Sequence, residues 1–122
     1  MLEVLQSPDR AAAFAVSGTL TGDDYDRIIG EVEAKLATHP RIGVLLDLTR
    51  FEDFTAEAAW KDFRYDLSKL FALKRFPREA IVSDKQWMRI AAGIADPILP
   101  HVEIRVFEPG EREEAMRWVS EV

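Results

Sequence analysis

The chain has no cysteine, which removes a disulfide framework, a thiolate nucleophile and any zinc site built on thiolates. The same absence fits a reducing compartment. Histidine is scarce: His39 stands before Pro40 and His101 after Pro100, both at element boundaries. Neither falls in a Ser-His-Asp arrangement or at a ligand spacing with a carboxylate. Glycine is sparse as well, and Gly18, Gly22 and Gly30 are too dispersed to cradle a phosphate. No apolar run approaches the roughly 18 residues of a membrane span. The opening "MLEVLQSPDR" has neither the basic start nor the apolar stretch of a secretory signal. These absences lead to the expectation of a soluble, cytoplasmic chain without catalytic residues, metal or cofactor.

What is present suits one α/β domain over residues 1–122. A chain of 122 residues with 48% hydrophobic content is long enough for a single core that buries roughly 65–70% of the unfolded surface. The net charge of -6 argues against broad nucleic-acid binding, which draws its affinity from cations that neutralise phosphates. The charge is uneven. Residues 61–89 hold eight basic side chains against four acidic ones, a net of +4, so the remainder carries -10. Solvated helix faces with cations near helix carboxyl ends account for that side of the molecule; a surface for an anionic partner is the sharper account.

The apolar pattern divides the chain into nine elements. Leu2–Gln6 and Ala11–Gly18 read as strands joined by the turn Ser7-Pro8-Asp9-Arg10. Thr21 then caps a helix with Asp23 and Asp24 in its first turn, and Tyr25, Ile28, Ile29, Val32 and Leu36 form its apolar stripe. Ile42–Leu48 reads as the central buried strand. Thr55 caps a second predicted helix with the stripe Trp60, Phe63, Leu67, Leu70 and Phe71. Glu79–Ser83 is a short strand, and Asp84 caps a third predicted helix carrying Trp87, Met88, Ile90, Ala91 and Ile94. His101–Phe107 alternates as a strand, and after Pro109-Gly110 a last helix buries Ala115, Trp118, Val119 and Val122. The order ββαβαβαβα predicts a mixed, mostly parallel five-stranded sheet with four helices and right-handed crossovers.

That order resembles the SpoIIAA-like family, a branch of the STAS superfamily. The residues that carry the resemblance are "MLEVL…FAVSGTLTGDDY", "LLDLTRFEDF", "AIVSDKQWMRIAAGIADPILP" and "EIRVFEPGEREEAMRWV". The resemblance implies a non-enzymatic regulatory or binding module. It also implies an architecture similar to CRAL-TRIO lipid-carrier domains, hence a small apolar ligand or membrane association. In anti-sigma-factor antagonists of the class, a phosphorylatable serine opens the helix after the central strand, in an Asp-Ser-Ser-Gly-like sequence. Here Thr55-Ala56-Glu57-Ala58 occupies that place. Thr55 falls where the aspartate would be and Ala56 where the serine would be, so the switch residue is missing. A phosphate on Thr55 would sit at a helix amino end able to hold it, but an N-cap role worth about 1 kcal/mol accounts for the threonine.

Two surfaces compete for function. The second and third predicted helices bring Trp60, Phe63, Leu67, Trp87, Ile90 and Ile94 to a candidate apolar site, with Arg75, Arg78, Lys85 and Arg89 beside it for an anionic surface. Core packing is the plain account of such stripes. The stretch "WMRIAAGIADPI", however, is apolar on more than one face. The expected function is therefore binding of a small apolar ligand or lipid, or of an anionic membrane surface at the inner face of a membrane. The alternative is a regulatory protein partner held at the strand exit by Asp53, Thr55 and Glu57. Homodimerisation agrees with the high hydrophobic content, although one chain does not give its symmetry.

Overall fold

Pro8 presets its own backbone for a turn, and the Ala11 N–H closes that turn on the Pro8 carbonyl at 3.1 Å. In the computed structural model, which describes residues 1–55, 77–84 and 103–122 (Asp53 and Phe54 by backbone alone), this turn joins β1 (Leu2–Leu5) to β2 (Ala11–Leu20) as an antiparallel pair. Helix α1 (Gly22–Leu36) follows. Its cap is reciprocal: Thr21 Oγ1 accepts from Asp24 N–H and Asp24 Oδ2 accepts from Thr21 N–H, both at 3.2 Å. Tyr25, Ile28, Val32 and Leu36 are buried at the expected spacing, while Ile29 is half-buried at the stripe's margin.

Strands β3 (Gly43–Phe54), β4 (Arg78–Val82) and β5 (Glu103–Phe107) complete a five-stranded sheet in the order β1-β2-β3-β4-β5. Every pairing after the first is parallel. A 3₁₀ turn at Pro109–Glu111 leads into α2 (Arg112–Ser120). The mixed sheet and these two helices agree with the sequence; the second and third predicted helices lie outside the described residues.

The central strand is longer than its apolar run. The sequence predicts Ile42–Leu48, whereas β3 continues to Phe54. The reason is alternation: Arg50 and Glu52 are exposed while Phe51 between them is buried, the signature of a half-buried strand rather than of a loop. β2 keeps pace with it, pairing Ser17 with Arg50, Gly18 with Phe51, Thr19 with Asp53 and Leu20 with Phe54. Two register shifts absorb the mismatch, and Gly18 takes a positive φ of 64° between them, a conformation that favours glycine.

Side chains leave the sheet on both faces. Ala12, Phe14 and Val16 of β2 join Ile28, Val32 and Leu36 of α1 in one core, where Phe14 is fully buried. A side chain of that kind contributes roughly 1.5–3 kcal/mol by burial. On the opposite face Ala11, Ala13, Leu45, Ala80, Val82 and Phe107 meet Ala115 and Val119 of α2. The alanines make that face shallow, so α2 lies close to the sheet backbone. A Cβ at Gly43 would overlap the Val119 carbonyl.

Candidate functional site

The carboxyl ends of parallel strands are where open α/β sheets place their sites. β3 pairs with β4 as far as Asp47 and Val82, and then continues without it for the length of Leu48–Phe54. The Asp47 side chain, only 14% exposed, receives three bonds at that edge. Its Oδ1 accepts from Thr49 N–H at 3.1 Å and from Thr49 Oγ1 at 2.6 Å. Its Oδ2 accepts from the Arg112 guanidinium at 3.1 Å. Arg112 begins α2, where the macrodipole disfavours a cation; the ion pair with Asp47 explains its presence and fastens the start of α2 to the central strand. Sequence reading passed over Arg112. Its one signal was that unfavourable place in the first turn.

Above this pair the β2–β3 ribbon carries the chain to Thr55. The Thr55 N–H donates to the Leu20 carbonyl at 3.0 Å, so the backbone from Asp53 to Thr55 is laddered against β2. Thr55 is half-buried, and Glu57 lies outside the described residues. At the ends of the neighbouring strands Ser83 is fully buried and Asp84 exposed, with the Ser83 N–H donating to the Phe107 carbonyl at 3.0 Å. No group of three potential metal ligands gathers among the described residues.

The second sequence-based surface is represented by one residue. Arg78 opens β4, and its guanidinium donates to the Trp118 carbonyl at 2.8 Å, pairs with Glu121 at 3.5 Å and stacks 5.0 Å from the Trp118 ring centroid. Arg105 stacks on the same indole at 4.9 Å, and Phe107 meets it at 5.9 Å. Trp118 was expected in the core; it is half-buried instead, held between two cations and the end of α2. Trp60, Phe63, Leu67, Trp87, Ile90, Ile94, Arg75, Lys85 and Arg89 lie outside the described residues. No helix among the described residues is long and apolar enough to cross a membrane.

Residues 11–120 match the model of the SpoIIAA-like family. The chain belongs to the SpoIIAA-like family. Among solved structures, it is similar to an uncharacterized protein of the DUF3478 family with a SpoIIAA-like fold from Shewanella loihica PV-4. That likeness has 28% identity and a TM-score of 0.75 over 98% of this chain and 92% of the other. The anti-sigma factor antagonist SpoIIAA in its unphosphorylated form is similar over the whole of both chains, at 11% identity and a TM-score of 0.65. The Bacillus cell fate determinant SpoIIAA in its phosphorylated form matches at 11% identity and a TM-score of 0.58, over 93% of this chain and 97% of the other. At 11% identity these two share the SpoIIAA-like fold, and nothing finer is drawn from them. A comparison with curated proteins gives no match.

Proposed function

We propose that the chain is a non-enzymatic regulatory module that binds a protein partner at the carboxyl ends of its parallel strands, through Asp53, Thr55 and Glu57. The observation that carries this reading is the β3 overrun. It holds the Asp53–Thr55 backbone on a paired ribbon, and a recognition site on a rigid element keeps its geometry better than one on a free loop. Family membership and a fold shared along its whole length with an anti-sigma factor antagonist give the reading its class. Ala56 follows Thr55, so partner binding here does not depend on a phosphoserine at that place. A small apolar ligand or an anionic membrane surface is the second reading, favoured by "WMRIAAGIADPI" and the neighbouring Arg75, Lys85 and Arg89.

Native mass spectrometry of the protein purified gently from its own cells separates the two. The first reading expects a recurrent polypeptide partner whose retention falls about tenfold or more in an Asp53→Lys variant, as truncation or reversal of a recognition charge does. The second expects a small apolar mass that is released on denaturation and lost in a folded Trp87→Ala variant. A partner bound equally well by Asp53→Lys would remove the strand-exit surface from consideration.

A further inference from the structure

β5 stands at the end of the sheet, with β4 on one side and, among the described residues, no strand on the other. The Glu103 N–H donates inward to the Pro77 carbonyl, and the Phe107 carbonyl accepts from Ser83 N–H. Backbone groups alternate sides along a strand, so Ile104 turns its N–H and C=O outward. Natural edges are commonly blocked by proline, by charged side chains, lysine above all, by a bulge or by a covering element. β5 reads Glu-Ile-Arg-Val-Phe, without proline or lysine, and pairs with β4 without a register shift. Its two charges have opposite sign, sit two residues apart on the α2 face, and are about half exposed: Glu103 at 52% and Arg105 at 54%.

We infer that this edge pairs with a second copy of the chain, β5 against β5, antiparallel about a two-fold axis through Ile104. In that register the outward N–H and C=O of Ile104 exchange hydrogen bonds with the same groups of the other copy. Glu103 of each copy stands opposite Arg105 of the other, twice over. Pairing centred on Arg105 would set like charges against each other, where directly opposed like charges are unfavourable. In the single chain Arg105 and Glu103 already meet at 3.5 Å; the dimer exchanges that pair in each copy for two pairs across strands. The other sheet edge, β1, carries Glu3 as its one charged residue and offers no such complement. The two sheets would join into one continuous sheet. An edge of five residues gives a small interface, so association depends on concentration in the range of weak complexes.

Sedimentation velocity over a series of protein concentrations tests this. The wild type is expected to pass from monomer to dimer as concentration rises. Glu103→Arg leaves the stacking of Arg105 on Trp118 in place but opposes like charges across the axis, and should weaken dimerisation about tenfold or more. Arg105→Glu should do the same. Mixed together, the two variants present complementary charges to each other and should form a heterodimer of wild-type affinity, which a misfolded variant could not do. A wild type that stays monomeric throughout, or homodimers that ignore both substitutions, would overturn the inference. So would two weakened variants that fail to pair when mixed.

Discussion

Two glycines of ordinary appearance have opposite meanings. Gly43 lies directly under α2, where an added Cβ would collide with the Val119 backbone. Gly30 is exposed on α1, with open space where its Cβ would be. Gly43→Ala is therefore expected to lower stability by about 1–3 kcal/mol through overpacking. Gly30→Ala should raise it by about 0.5–1 kcal/mol through helix propensity. Urea unfolding of both variants checks the pair, and effects of one sign would refute the account of how α2 sits. The sequence distinguishes neither, since a steric vacancy depends on an element 76 positions later in the chain. Arg112 was hidden for a related reason: its carboxylate partner, Asp47, lies 65 residues earlier.

Among the elements, one ammonium ties the turn of the opening hairpin to the end of α1. Lys35, in the last turn of α1, donates from Nζ to Ser7 Oγ at 2.8 Å, to the Pro8 carbonyl at 2.9 Å and to the Ala11 carbonyl. Lys35→Met should cost about 1.5–3 kcal/mol, the range of hydrogen bonds to a charged group. Burial lowers the Lys35 pKa from 10.5, with the Asp9 and Glu31 carboxylates opposing. Between that lowered value and 10.5 the unfolded chain binds more protons than the folded one, so this group makes stability rise with pH. The stability difference between wild type and Lys35→Met should accordingly widen as pH rises toward 10.5 and stay constant below the window. Denaturation curves at several alkaline pH values measure it; a narrowing difference would contradict the burial of this amine. Some element ends were legible because caps and breakers mark them, as Thr21 and Pro109 do. The end of β3 was not, because charged residues in a half-exposed strand resemble a turn when only the apolar run is followed.

In the whole molecule, one sheet separates two cores. Phe14 faces α1 and Val119 faces the opposite side, yet β2 and β3 contribute to both. Cooperative unfolding follows from that sharing. Phe14→Ala should cost about 3–5 kcal/mol, and Val119→Ala roughly 1.5–3 kcal/mol. Each should shift the entire transition, with far-ultraviolet circular dichroism and tryptophan fluorescence coinciding. Separate transitions in either variant would show that the two faces unfold independently. The order of the described elements, parallel pairing and family were legible at this scale because periodicity and connection length constrain topology strongly. The partner was not, because recognition resides in a few exposed side chains whose spacing follows no period.

The closeness of α2 to the alanine face also has a consequence in time. All five strands are synthesised before α2, and the contacts of Ala115 and Val119 with Ala11, Ala13 and Leu45 span most of the chain. Among the described residues, the α1 face has its helix as soon as residue 36 has been made, whereas the helix that packs on the other face is complete only after residue 119 has emerged. Long-range closure of this kind is slow, and surface left bare in the interval invites aggregation. Among the described elements, the side that α2 seals is thus the last to be closed.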